Sequence, residues 1–151
     1  MARATYTAVG VASPVTTAKT ILTVLGTANF GVDLLGFEIS ADGAISTAVP
    51  VFWELCYLDG STAGTAGSAI TVRQEAGRVI TAGFTSGANF SAEPTVLTQL
   101  YGDYLPAYNG LLVRDFQWNG TPDSAVSQGF ALRVTAQSSV NLRGTFKFAR
   151  C

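Results

Sequence analysis

The sequence predicts an all-β domain: an antiparallel β-sandwich, jelly roll or small barrel of about eight strands, preceded by an extended N-terminal arm. Three observations carry this. Apolar and polar residues alternate with period two along most of the chain. Gly, Pro, Asn and Asp turn signals separate nearly all of the alternating segments. No segment combines helical periodicity with helix caps. Many short strands in 151 residues fit a sandwich, jelly roll or small barrel.

The first 18 residues hold Gly10 and Pro14 and alternate only over Thr5–Val9. They are expected to form an arm that docks on a neighbour through Tyr6, Val9 and Val11, leaving residues 19–151 as the domain proper. Residues 19–25 and 34–40 read as strands, the second with Leu35, Phe37 and Ile39 on one face. Asp42-Gly43 supplies a turn, because that pair readily takes positive φ. The next strand, 48–58, is apolar on both faces: Val51, Trp53, Leu55 and Tyr57 against Phe52, Glu54, Cys56 and Leu58. It is therefore expected to be central, or to meet a partner. Pro50 puts its beginning at an edge or bulge.

Residues 60–69, GSTAGTAGSA, read as a small-residue loop. Short strands are expected at 70–73 and 78–85. Residues 96–104 and 110–118 are expected to pair across Leu105–Asn109. The clearest alternation is C-terminal: Phe130, Leu132, Val134 and Ala136, then Val140, Leu142, Gly144, Phe146 and Phe148. The short link between these two runs predicts a hairpin.

Composition bounds the function. Charged residues are 13% of the chain, against about 25% in typical soluble domains. Net charge is −1, histidine is absent, and the only lysines are Lys19 and Lys147. A basic nucleic-acid binder, an acidic tail protein and histidine-based catalysis or metal binding are excluded. A surface this short of charge is poorly protected against association. It is expected to be covered by subunit contacts, which are depleted in charge. No apolar run suits a signal peptide or a membrane helix, so neither a membrane nor a nucleic acid is an expected partner. Cys56 and Cys151 read as a buried structural thiol and a terminal thiol.

Motifs for chemistry are scarce. GxSxG is absent, and Gly60–Gly67 lacks the lysine of a phosphate-binding loop. Glu38 with Glu54, and Asp103 with Asp115, are the only carboxylate pairs that acid–base catalysis would use. Charged side chains on polar strand faces are more simply solvated or paired with Arg114, Arg133 or Arg143. No enzyme activity, metal or cofactor is expected. Tyr101, Tyr104, Tyr108, Phe116 and Trp118 form an aromatic cluster suited to a subunit interface, or to stacking on a sugar.

Several segments carry a family resemblance: Thr47-Ala-Val-Pro-Val51 leading into Glu54-Leu55, Gly64-Thr-Ala-Gly-Ser-Ala-Ile-Thr71, Glu93-Pro94-Thr95, Gly110-Leu-Leu-Val-Arg-Asp-Phe116, Gly129-Phe-Ala-Leu-Arg-Val-Thr-Ala136, and Val140-Asn141-Leu142-Arg143. Over roughly residues 19–148 the chain resembles head decoration (cement) proteins of tailed bacteriophages. The resemblance implies a β-sandwich or tulip-like fold and a homotrimer on the outer surface of an icosahedral capsid. It also implies the major capsid protein as partner and an arm reaching over neighbouring subunits. The alternative reading is a virion-surface or tail-associated module that binds a carbohydrate or receptor through the Tyr101–Trp118 region.

Overall fold

A computed structural model describes residues 3–15, 17–43, 49–116 and 120–151. Among them are eleven strands: β1 (Thr5–Val15), β2 (Ala18–Leu25), β3 (Val32–Ala41), β4 (Val51–Asp59), β5 (Thr65–Ala69), β6 (Arg73–Ala76), β7 (Thr85–Ala92), β8 (Leu97–Leu105), β9 (Leu111–Asp115), β10 (Gln128–Thr135) and β11 (Val140–Arg150). One turn of 3-10 helix follows β4 at Gly60–Thr62. All pairings between strands are antiparallel, in a five-stranded sheet of order β6-β1-β11-β3-β9 and a six-stranded sheet of order β5-β7-β2-β10-β4-β8. The architecture is thus an all-β sandwich of two sheets.

Period-two patterning explains the layers. From the five-stranded sheet, Tyr6, Ala8 and Ala12 of β1 face inward with Leu34, Phe37 and Ile39 of β3 and Leu142, Phe146 and Phe148 of β11. From the six-stranded sheet come Leu22 and Val24 of β2, Val51, Trp53 and Leu55 of β4, and Phe130, Leu132 and Val134 of β10. Gly10 and Gly144 stand opposite each other on β1 and β11 and let the other sheet approach closely. A Cβ on Gly10 would lie 2.6 Å from the Ile21 carbonyl oxygen and 3.0 Å from Leu22 Cδ1. One on Gly144 would lie 2.9 Å from Leu132 Cδ2.

Several expectations are corrected. The stretch expected as an arm contains β1, which is bonded on both sides, to β11 and β6. Its inward positions, Tyr6, Ala8, Gly10 and Ala12, include three small residues, so the burial pattern is easily overlooked in the sequence. The C-terminal hairpin does not form. β10 lies in one sheet and β11 in the other, so the link at residues 136–139 crosses the sandwich. Alternation specifies which face is buried but not which sheet the strand joins; an arch between sheets satisfies it as well as a hairpin.

Likewise, the strands at 96–104 and 110–118 do not pair. β8 bonds to β4, and β9 bonds to β3. The loop expected at 60–69 holds the 3-10 turn and β5, whose residues are all exposed and therefore show no apolar pattern. The strands expected at 70–73 and 78–85 are displaced to 73–76 and 85–92. β4 is an inner strand, between β10 and β8, as its two apolar faces indicate. No helix among the described residues is long and apolar enough to cross a membrane.

At the end of the core near β6, Phe84 packs edge-on against Tyr6 at 5.4 Å and Phe148 at 4.8 Å. Phe148→Ala should cost about 3–5 kcal/mol of folding free energy through lost contacts and a cavity. Gly10→Ala should cost about 1–3 kcal/mol through overpacking, whereas Val9→Ala, on the outer face, should change stability by under about 0.5 kcal/mol. Denaturant unfolding of the three variants checks this order.

Candidate interaction surfaces

The aromatic cluster expected over residues 101–118 is split by the fold. Tyr101 on β8 and Phe116 just after β9 come together at 5.7 Å, across the edges of the two sheets. The Arg114 guanidinium lies 4.2 Å above the Tyr101 ring. Phe116 continues inward to Phe37 at 6.1 Å, and Phe37 to Trp53 at 5.4 Å. This part of the cluster is an extension of the core that closes one end of the sandwich.

Tyr104 sits elsewhere. It is 68% exposed on the outer face of the six-stranded sheet, tilted 5.3 Å from Phe52 on β4. Its backbone N–H donates to Asp103 Oδ1 at 2.7 Å. Tyr108 is exposed in the link from β8 to β9, and Trp118 lies outside the described residues. Tyr6 is fully buried, so of the residues expected on the arm only Val9 and Val11 are available to a partner.

The two outer faces differ in character. On the six-stranded sheet, Glu54 of β4 is buried and its Oε2 accepts a hydrogen bond from Arg133 Nε at 2.9 Å. That bond raises the pKa of the Arg133 guanidinium. Cys56 lies buried one residue pair along the same face. Burial, with the neighbouring Glu54 charge, pushes its thiol up from 9.0 to about 11. Glu93, beyond the end of β7, reaches back so that its Oε2 accepts the Thr20 backbone N–H at 2.8 Å. Thr95 N–H donates to the Thr62 carbonyl at 3.2 Å, tying the same segment to the 3-10 turn. This face is thus partly closed by the chain itself.

The outer face of the five-stranded sheet carries exposed apolar side chains at both margins: Val9 and Val11 on β1, and Leu111 and Val113 on β9. Between them lie Arg143, Thr145 and Lys147 of β11 and Glu38 and Ser40 of β3. Lys147 is paired with Glu75 of β6 at 3.2 Å. Shallow depressions of about 220 and 360 Å³ run across this face, the first beside Val11 and Arg143, the second between Glu38, Lys147 and Asp115. Sequence reasoning missed Leu111 and Val113 because 110–118 reads as a strand with apolar residues on both faces.

The candidate carboxylate pairs are not brought together. Glu38 and Glu54 lie on the two opposite outer faces, with the core between them, and Asp103 and Asp115 lie on different sheets. Among the described residues, no group of three or more Cys, Asp or Glu is placed to hold a metal ion. Asp59 is held below the usual carboxylate range by hydrogen bonds from the Ser61 backbone N–H and hydroxyl, which cap the 3-10 turn.

The raised Cys56 pKa has a definite sign. Folding holds the thiol neutral, so its contribution to stability is complete below pH 9 and is lost as pH rises through about 11. At pH 8, iodoacetamide should alkylate exposed Cys151 in the folded protein, and Cys56 at least about 100-fold more slowly. In denaturant both should react at similar rates, as read by mass spectrometry. Cys56→Ala should flatten the fall in stability above pH 9.

No family model, no curated protein and no solved structure matches this chain.

Proposed function

We propose that the protein is a structural component of a virus particle, a decoration protein that binds the outside of an icosahedral phage head and stabilises it. The single observation that supports this best is the outer face of the five-stranded sheet, with Val9, Val11, Leu111 and Val113 exposed around a mixed-charge centre. Such a patch on a chain with 13% charged residues fits a protein–protein contact. A two-sheet body with long inner strands is a stiff platform for it. Each contact formed only on the assembled shell favours the assembled state by mass action. The segments that resemble decoration proteins fall largely on β4, β5, β9, β10 and β11, and the trimer they imply belongs to this reading.

A second reading, a carbohydrate- or receptor-binding module, draws on Tyr104, a largely exposed ring backed by Phe52. Aromatic platforms of this kind stack on sugars, and Tyr108 is a second exposed ring, in the link from β8 to β9.

Immunogold electron microscopy of particles from a strain carrying this gene tests the first reading. Antibody against the purified chain should decorate the outside of the head. Labelling of the tail alone, or of no particle, contradicts it. Glycan-array binding that is lost in Tyr104→Ala would favour the second reading instead.

A further inference from the structure

We infer that the edge of β1 beyond β6 takes up the extended C-terminal tail of a partner protein, which adds a strand beside Val9 and Val11 and sets its terminal carboxylate at Arg73. This goes beyond the capsid reading and does not rest on it. It concerns the backbone at one flank of the sandwich, whatever protein supplies the tail.

The hydrogen-bond register carries the argument. Asp42 N–H donates to the Asn141 carbonyl at 3.1 Å, in line with the β3–β11 register. Backbone groups alternate in direction along an antiparallel strand. Asn141, Arg143 and Thr145 therefore turn theirs to β3, and Leu142, Gly144 and Phe146 turn theirs to β1. The partners of these three on β1 are Ala12, Gly10 and Ala8. Val9 and Val11 accordingly direct N–H and C=O away from β11. β6 covers that side only along Thr5, Tyr6 and Thr7. Among the described residues, no strand pairs with Val9 or Val11 there. Two donors and two acceptors, on residues about 6.8 Å apart, are matched by an extended peptide and not by a helix.

The site has walls. A depression of about 420 Å³ opens beside Val9, bounded by Thr7, Ala69, Ile70, Thr71 and Arg73. Ile70 and Val72 pack against the core. The Val9 and Val11 side chains, 45% and 48% exposed, would stand beside alternate side chains of the added strand. β-branched or aromatic residues suit those positions.

β6 decides which part of a partner fits. Its first residue, Arg73, stands opposite Thr7, so a strand beside Val9 must stop there. A strand antiparallel to β1 runs toward Arg73 and ends on its carboxylate. Arg73 is exposed and, among the described residues, forms no ion pair. A free carboxylate is its charge complement. A parallel strand would bring an ammonium terminus to the guanidinium instead, a like-charge contact. A second copy of β1 does not fit, because antiparallel pairing about Gly10 would run the end of that strand into β6.

The other edges are poorer sites. On β8, the Asp103 carboxylate occupies the Tyr104 N–H at 2.7 Å. The Gln74 side chain of β6 donates to the Ala76 and Arg78 carbonyls and accepts the Ile80 N–H. β9 carries Arg114 and Asp115, and charges on an edge discourage pairing. β5 has no side chain larger than threonine to grip a peptide.

The test is selection of a displayed library of random peptides with free C-termini on the full chain, followed by NMR amide exchange with the selected peptide. In the free chain the Val9 and Val11 amides should exchange fast and the Gly10 amide slowly. The peptide should slow Val9 and Val11 by about 10-fold or more. Amidating its C-terminus, or Arg73→Gln, should weaken binding roughly 10-fold, and the two together no further than either alone. Val9→Pro removes an N–H that no strand of this chain accepts, and should also weaken binding roughly 10-fold. Circular dichroism verifies both folds, and Arg73→Gln, at an exposed side chain, keeps the test decisive should Val9→Pro misfold. The inference is overturned if no peptide is enriched, if amidation leaves binding unchanged, or if the peptide protects β5, β8 or β9 instead. Val9 and Val11 amides already protected in the free chain overturn it too. No phage particle enters this experiment, so its failure leaves the capsid reading standing.

Discussion

The sandwich depends on how closely its two sheets can approach at one point. Gly10 and Gly144 face each other across β1 and β11, and both are pressed on by Ile21, with Leu22 or Leu132 beside it. Around this contact the rows step outward in size: Ala8 with Phe146 on one side, Ala12 with Leu142 on the other. Small residues on β1 therefore stand beside large ones on β11 in the same sheet, which leaves room for Ile21 and Leu22 of the opposite sheet. Without that match, β1 would have no reason to lie inside the sheet, and the outer face that Val9 and Val11 help to build would not exist.

The two ends of the core are closed by different means. Near β6, Arg3 forms an ion pair with Asp33 and donates to the Arg150 carbonyl at 2.6 Å, tying the beginnings of β1 and β3 to the end of β11. Arg150 in turn donates to the Ala82 carbonyl at 2.8 Å and lies 4.4 Å over the Phe30 ring, holding the segment that leads to Phe84. At the other end, Tyr101, Phe116 and Arg114 bridge β8 and β9. Several of the protein's few charges thus have structural duties. Those of the six-stranded sheet's outer face, Glu54, Arg133 and Glu93, are also engaged in bonds within the chain. Among the described residues, Arg143 and Glu38, on the opposite face, form no ion pair within the chain.

Much of this was legible in the residues, and the gaps have physical causes. Alternation identified β2, β3, β4, β10 and β11 within a few residues, because each buries a row of large side chains; β8 was also placed, although Leu105 is its one buried residue. It failed for β5, which is held by backbone bonds to β7 and buries nothing. It undervalued β1, whose buried face is mostly Ala and Gly. Strand pairing was not legible at all for β10 and β11, since a hairpin and an arch bury the same faces. For the candidate surface, low charge raised the expectation of a covering partner, and the aromatic residues expected there are divided by the fold. Tyr101 and Phe116 turn inward, while Tyr104, Tyr108 and the Val and Leu residues of β1 and β9 are among the exposed large side chains.

The proposal therefore rests on one claim: the outer face of the five-stranded sheet is the surface that meets a protein partner on the phage head. Hydroxyl-radical footprinting of the free chain and of the chain bound to phage heads reads that face directly, without any substitution. The proposal predicts that Val9, Val11, Leu111 and Val113 lose reactivity on the heads while Tyr104 and Val126 keep theirs. Unchanged reactivity at all six, or protection of Tyr104 in place of the valines, would contradict it.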